Sequence, residues 1–143
     1  MRLPISATMR LLKMLFLAAI IFLSGCNVEQ DRLEAKKAAD RVHSQLQNQD
    51  YASIYREAGK SFKEVGDESK FVAGMLQVHE ERGSLKTATP IAYQSGVDSD
   101  AGRTHTLIFN LEFERGRASE RMVLTRGPTA QMQLWDLGID PIP

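Results

Sequence analysis

One thiol stands in the chain, and it ends the run Leu23-Ser24-Gly25-Cys26. A cysteine sulfur becomes a nucleophile near neutral pH, so Cys26 is the residue best suited to alkylation. Ser24 and Gly25 are small enough for a peptidase to close around the bond before it. The other groups that could do chemistry are poorly assembled. His79-Glu80-Glu81 lacks a second histidine one turn on and so departs from the zinc pattern His-Glu-x-x-His. Asp98 to Gly102, "DSDAG", begins like a calcium loop. It lacks the later ligands and the terminal glutamate, and a hairpin turn accounts for it. The chain has no Gly-x-Ser-x-Gly elbow, no phosphate loop and no glycine-rich nucleotide fingerprint. No metal or cofactor is implied.

The segment before Cys26 carries Arg2, Arg10 and Lys13 and no acid, then the apolar run Met14 to Leu23. A basic front, a short apolar centre and small residues behind describe a secretory signal peptide. As a helix the run reaches about 15 Å, half of a hydrocarbon core of about 30 Å. Leu-Ser-Gly-Cys resembles the lipobox of bacterial lipoproteins. That resemblance implies cleavage before Cys26 and acylation of its sulfur and its freed amine. Each buried methylene contributes about 0.8 kcal/mol, so two or three chains anchor a protein firmly. Asn27 replaces the aspartate that retains many such proteins in the inner membrane. The resemblance therefore implies the outer membrane, with the domain facing the periplasm. The expected organisation is a signal peptide over 1–25, a lipidated cysteine and tether over 26–30, and one domain over 31–143.

Removal of residues 1–25 takes three basic residues and lowers the formal charge from zero to −3. A mildly acidic chain offers no electrostatic footprint for nucleic acid. Its size is that of one domain that can bury a core without disulfides.

Periodicity divides this domain. Leu33, Ala35, Ala38, Ala39, Val42 and Leu46 recur at helical spacing, and Asp31 with Glu34 predicts a capped start at Asp31. Arg32, Lys36, Lys37 and Arg41 are interleaved with acids and read as a solvated face. Asp50 opens a second helix that Gly59 should end, and Phe62 and Val65 continue a short apolar stretch. A third helix is expected from Glu68 to Arg82, with Phe71, Met75 and Val78 inward, Leu76 widening that face, and Gly83 beyond the end. The period then falls to two. Leu85, Thr87, Thr89, Ile91 and Tyr93 should share one face of a strand that Pro90 confines to an edge or a bulge. His105, Leu107, Phe109, Leu111 and Phe113 make the clearest strand. "ASERMVLTR" leaves its inward face open between Met122/Leu124 and Val123/Thr125, and "QMQLWDLGI" closes the series. Helices succeeded by four strands with short links predict an α+β domain, with N-terminal helices packed on a curved antiparallel meander.

The order of these signals resembles a family of small bacterial lipoproteins of unknown function. The resemblance rests on Gln49-Asp50-Tyr51, Ser61-Phe62-Lys63, Glu81-Arg82-Gly83-Ser84-Leu85, Glu120 with Leu124, Gly127-Pro128-Thr129 and Trp135, over roughly Leu33 to Ile139. It implies the cone-shaped nuclear transport factor 2-like, or cystatin-like, fold. Enzymes of that fold hold an acid or histidine inside the cone beside tyrosines. Here the matching cone-lining candidates are Tyr55, Tyr93, His105 and Trp135, with His79 behind them. The family itself carries over no catalytic residue. Anchor, fold and scattered reactive groups together imply a lipid-anchored periplasmic domain that binds an envelope protein or a small apolar ligand without catalysis. The alternatives are an isomerase or hydratase with its base in the cone, and an accessory subunit of an envelope complex. A dry, filled cone would oppose both the enzyme and the ligand-binding readings; an open one lined by His105 and a carboxylate would favour chemistry.

Overall fold

The computed structural model describes residues 28–142. Leu23, Ser24, Gly25, Cys26 and Asn27 lie outside the described residues. The chain divides into two units, residues 1–34 and residues 35–143. Of the first unit, residues 28–34 are described and are helical. They belong to helix α1, residues 28–47. Residues 28–30 are thus helical, and Asp31 is an interior position of the helix rather than the cap the sequence suggests.

Beyond residue 34, α1 buries Ala35, Ala38, Ala39, Val42 and Leu46. Three alanines on one face let the backbone lie close to its neighbours, and alanine also has the best helix propensity. The charged face forms the ion pairs Lys36–Asp40 within α1 and Arg41–Glu57 to the next helix, all half exposed. Such pairs contribute little to stability.

Helix α2, Tyr51–Glu57, starts where Asp50 accepts a hydrogen bond from the Ser53 amide at 3.3 Å. It stops at Ala58. Gly59 does not terminate it in the left-handed form, since its φ is −66°. Gly59 instead precedes α3, Lys60–Glu64, and lies close to β4. Its amide donates to the Leu134 carbonyl at 2.8 Å, and a Cβ there would lie 3.3 Å from that oxygen.

Helix α4, Glu68–Arg82, has the bounds its sequence predicts. Asp67 caps it by accepting from the Lys70 amide at 2.9 Å. Gly83 ends it at φ +77°, a conformation that disfavours any side chain. The unsatisfied carbonyls of the last turn find donors in the chain that later returns past them. Arg115 donates from its guanidinium to the Glu80 and Glu81 carbonyls and from its amide to Arg82. Met75 is the buried residue of this helix, while Leu76, expected inward, is 44 % exposed.

Four antiparallel strands come next, in the spatial order of the chain: β1 Leu85–Asp98, β2 Gly102–Phe113, β3 Gly116–Arg126 and β4 Met132–Ile142. In β2, His105, Leu107, Phe109 and Leu111 are buried at alternate positions. Opposite them in β3 stand Leu124, Met122, Glu120 and Ala118. This settles the inward face of β3. Met122 and Leu124 join the core cluster that contains the α1 residues, whereas Val123 is buried outside it on the other face.

The first strand departs from simple alternation. Irregularities between Leu85 and Thr87 and between Pro90 and Ala92 shift its register. Each added residue reverses the parity of the positions after it, so Leu85, Ala88 and Tyr93 pack against the core while Ile91 is exposed. Pro90 thus occupies both an edge strand and a bulge. The turn after β1 is closed by Asp98, whose carboxylate accepts from the amides of Asp100 and Ala101. Those two bonds hold its pKa below the ordinary value.

Two glycines with positive φ give a test of this architecture. A Cβ at Gly83 would sit within the Glu114 side chain, whereas one at Gly102 would meet nothing. Gly102→Ala should cost about 1–2 kcal/mol, the backbone penalty alone. Gly83→Ala should cost measurably more. Urea midpoints of the two variants decide it, and equal losses would contradict the packing described for Gly83.

Candidate functional site

Two groups of side chains could carry function, and they differ in access to solvent. The first is enclosed. His43 of α1 brings Nε2 to 2.5 Å from Oε2 of Glu120 in β3. Glu120 is 0 % and His43 7 % exposed. The His43 ring also stands edge-on to Phe109, with centroids 4.5 Å apart. A contact this short needs a proton between nitrogen and oxygen. The other oxygen, Glu120 Oε1, has no hydrogen-bond partner among the described residues. Nearby, the Tyr93 hydroxyl lies 2.9 Å from His105 Nδ1, with the rings stacked at 6.1 Å. His105 is 1 % exposed.

His43, Glu120, Tyr93 and His105 line neither of two small voids nor the cleft described below. The voids under α1, lined by residues such as Ala38, Val42 and Leu134, and under α4, lined by residues such as Met75, His79 and Leu85, measure about 10 Å³ each. That is about the volume one water needs.

The second group forms a cleft of about 310 Å³ between the short helices and β4. One wall is an aromatic cluster with a ring from each of three helices: Tyr55 from α2, Phe62 from α3 and Phe71 from α4. Their centroids are 5.4 to 6.2 Å apart. Tyr55 is held by its hydroxyl, which donates to the Gly66 carbonyl at 2.7 Å. Arg56 braces α2 against α4 by donating to both carboxylate oxygens of Glu68. The other wall is Trp135 and Leu137 of β4. Trp135 sits where β3 and β4 slip register, Val123 pairing with Asp136 and Leu124 with Leu134. The slip leaves Trp135 without a cross-strand partner. Its indole N–H is buried with no acceptor among the described residues.

The rim carries Asp67, Lys70 and Asp136. Asp67 accepts from the Ser69 hydroxyl and the Lys70 amide, which together hold its carboxyl below the ordinary range. Asp136 takes Arg121 at 2.5 Å. Among the described residues, no group of three or more metal-ligating side chains is placed to hold an ion.

The four cone-lining candidates therefore separate into two pairs. Tyr93 and His105 meet in the core. Tyr55 and Trp135 both line the cleft. His79 lines the small void under α4. The sequence reading does not single out His43 and uses Glu120 only as a family marker. Both carry a signal: His43 stands one turn after Ala39 and one before Leu46 on the apolar stripe, and Glu120 alternates with Met122 and Leu124.

Breaking a buried pair on one side strands the other partner, at about 3–5 kcal/mol, whereas apolar replacement of both is often near neutral. His43→Leu and Glu120→Leu should each lose stability on that scale, and the double variant should recover most of it. Denaturant melts of the three variants read this directly. Additive losses would contradict a coupled pair.

No protein-family model matches the chain and no curated protein matches it, so the site's role rests on its own chemistry.

Proposed function

We propose that the chain is a lipid-anchored domain of the bacterial cell envelope that binds a small apolar ligand in the aromatic cleft and does no chemistry on it. The carrying observation is that cleft. It is about 310 Å³ in volume and walled by Tyr55, Phe62, Phe71, Trp135 and Leu137. Ligand sites span about 300–1,000 Å³ and are mostly apolar with few polar groups, so the cleft fits a small member of the class. The groups best suited to acid–base work are enclosed, His105 at 1 % and Glu120 at 0 % exposure. This argues against the isomerase or hydratase alternative, because a general base must come within reach of the proton it abstracts.

The anchor is supported by the sequence before the described residues: a basic start, a ten-residue apolar run and Leu23-Ser24-Gly25-Cys26. Among the described residues no helix is long and apolar enough to cross a membrane. Acylated Cys26 then fixes the domain to the membrane, and Asn27 favours the outer membrane and a periplasmic location. Helices that precede an antiparallel meander support the nuclear transport factor 2-like, or cystatin-like, reading of the fold.

Cys26→Ser should leave uncleaved precursor and abolish incorporation of labelled fatty acid; normal acyl labelling in that variant would refute the anchor. For the cleft, Trp135 is the chain's only tryptophan and lines it. Titration with the neutral dye phenylnaphthylamine should give saturable energy transfer from Trp135. Phe62→Ala should weaken it by roughly tenfold, as expected for about 1–2 kcal/mol of lost apolar contact. Linear, unsaturable transfer would refute a defined site.

A further inference from the structure

The two edges of the sheet are finished differently. β4 is engaged near its start, where the Gly59 amide donates to the Leu134 carbonyl at 2.8 Å, and Pro141 removes a donor near its end. β1 is guarded over its first half. The Gln47 side chain donates to the Lys86 carbonyl at 3.3 Å, and Pro90 stands at the bulge. From Ala92 to Asp98 the pairing with β2 is regular, and among the described residues no strand lies on the far side. Alternate backbone N–H and C=O groups of this stretch therefore point outward, as on any edge.

The usual protections of an edge are missing from this half. No charged residue occurs from Thr87 to Val97. Ile91 is 55 % and Val97 85 % exposed, and among the described residues these are the large apolar side chains that the sheet leaves to solvent. The stretch is also matched to itself. Set antiparallel about Gln94, it places Ile91 opposite the partner's Val97, Ala92 opposite the partner's Gly96 and Tyr93 opposite the partner's Ser95. Each exposed apolar residue then meets the other, and no charge meets its like.

We propose that a second copy of this chain pairs with β1 in that register, joining the two sheets into one continuous sheet about a twofold axis at Gln94. The axis uses the same edge on both copies, so assembly closes at a dimer. The cleft is lined by Trp135, Asp136 and Leu137 of β4, at the opposite edge. Pairing leaves it open on both copies, and the inference stands apart from the ligand-binding role proposed above.

Sedimentation equilibrium of the full-length chain in density-matched detergent tests it. The chain should be a reversible dimer at micromolar concentration. The axis sets Gln94 against itself, so Gln94→Lys and Gln94→Glu should each raise the dimer dissociation constant about fivefold or more, because like charges directly opposite repel. An equimolar mixture of the two variants should restore association, since unlike charges then face each other. Gln94 is exposed, so neither substitution should unfold the domain. Leu76→Lys, at an exposed apolar residue of α4, should leave association unchanged. A monomer at every concentration, a dimer that both Gln94 variants leave intact, or a mixture no tighter than either variant alone would overturn the pairing.

Discussion

A carboxyl group with no exposed surface is the constraint around which the helices and sheet are arranged. Glu120 lies at the centre of the inward face, with Phe109 opposite it on one side and Ile139 on the other. Leaving such a group without a partner would cost several kcal/mol. His43 answers it from α1, and that requirement fixes the rotation of the helix about its axis. The same rotation brings Ala35, Ala38, Ala39, Val42 and Leu46 inward. One polar contact and five apolar ones therefore demand a single helix orientation and a single strand register. A slip of one residue in β3 would move Glu120, Met122 and Leu124 to the other face together.

The cleft arises from the elements around this core. The turn between α2 and α3 is drawn to the sheet edge by the Gly59–Leu134 hydrogen bond, and a Cβ at Gly59 would lie 3.3 Å from the same carbonyl oxygen. One residue on, the slipped register of β4 sets Trp135 outside the regular pairing. Helices α2, α3 and α4 each contribute one aromatic ring to the same cleft. The interior is thus closed by packing, while apolar surface remains open at the edge of β4, where the helices are shortest. The buried pairs His43–Glu120 and Tyr93–His105 are in the packed part, and the ligand-sized cleft is at the edge of β4. This division is the support for the binding role proposed above.

Much of the architecture is legible in the sequence where local and tertiary demands agree. Alternation in "THTLIFNLEFE" and the Gly83 end of α4 each have one physical cause, and the structure obeys them. The failures share a different cause. Ile91 reads as inward because two register shifts in β1 cannot be counted from alternation. Gly59 reads as a helix end because its real requirement, closeness to Leu134, is set by a strand more than seventy residues later. The inward face of β3 stays open because Glu120 spoils an otherwise apolar alternation until His43 is seen beside it. Tyr55, Tyr93, His105 and Trp135 stand out as functional candidates, but their grouping into two separate places depends on packing that no local pattern encodes.

On this reading the cleft, and not the enclosed histidines, is where a ligand is met. Amide chemical-shift mapping tests that most directly, since the single indole N–H of Trp135 gives an isolated signal at the wall of the cleft. On addition of phenylnaphthylamine, the largest changes should fall on the Trp135 indole, Gly66 and Leu137, with His43 and His105 unmoved. Changes centred on His43 and His105, with the Trp135 indole unmoved, would contradict it.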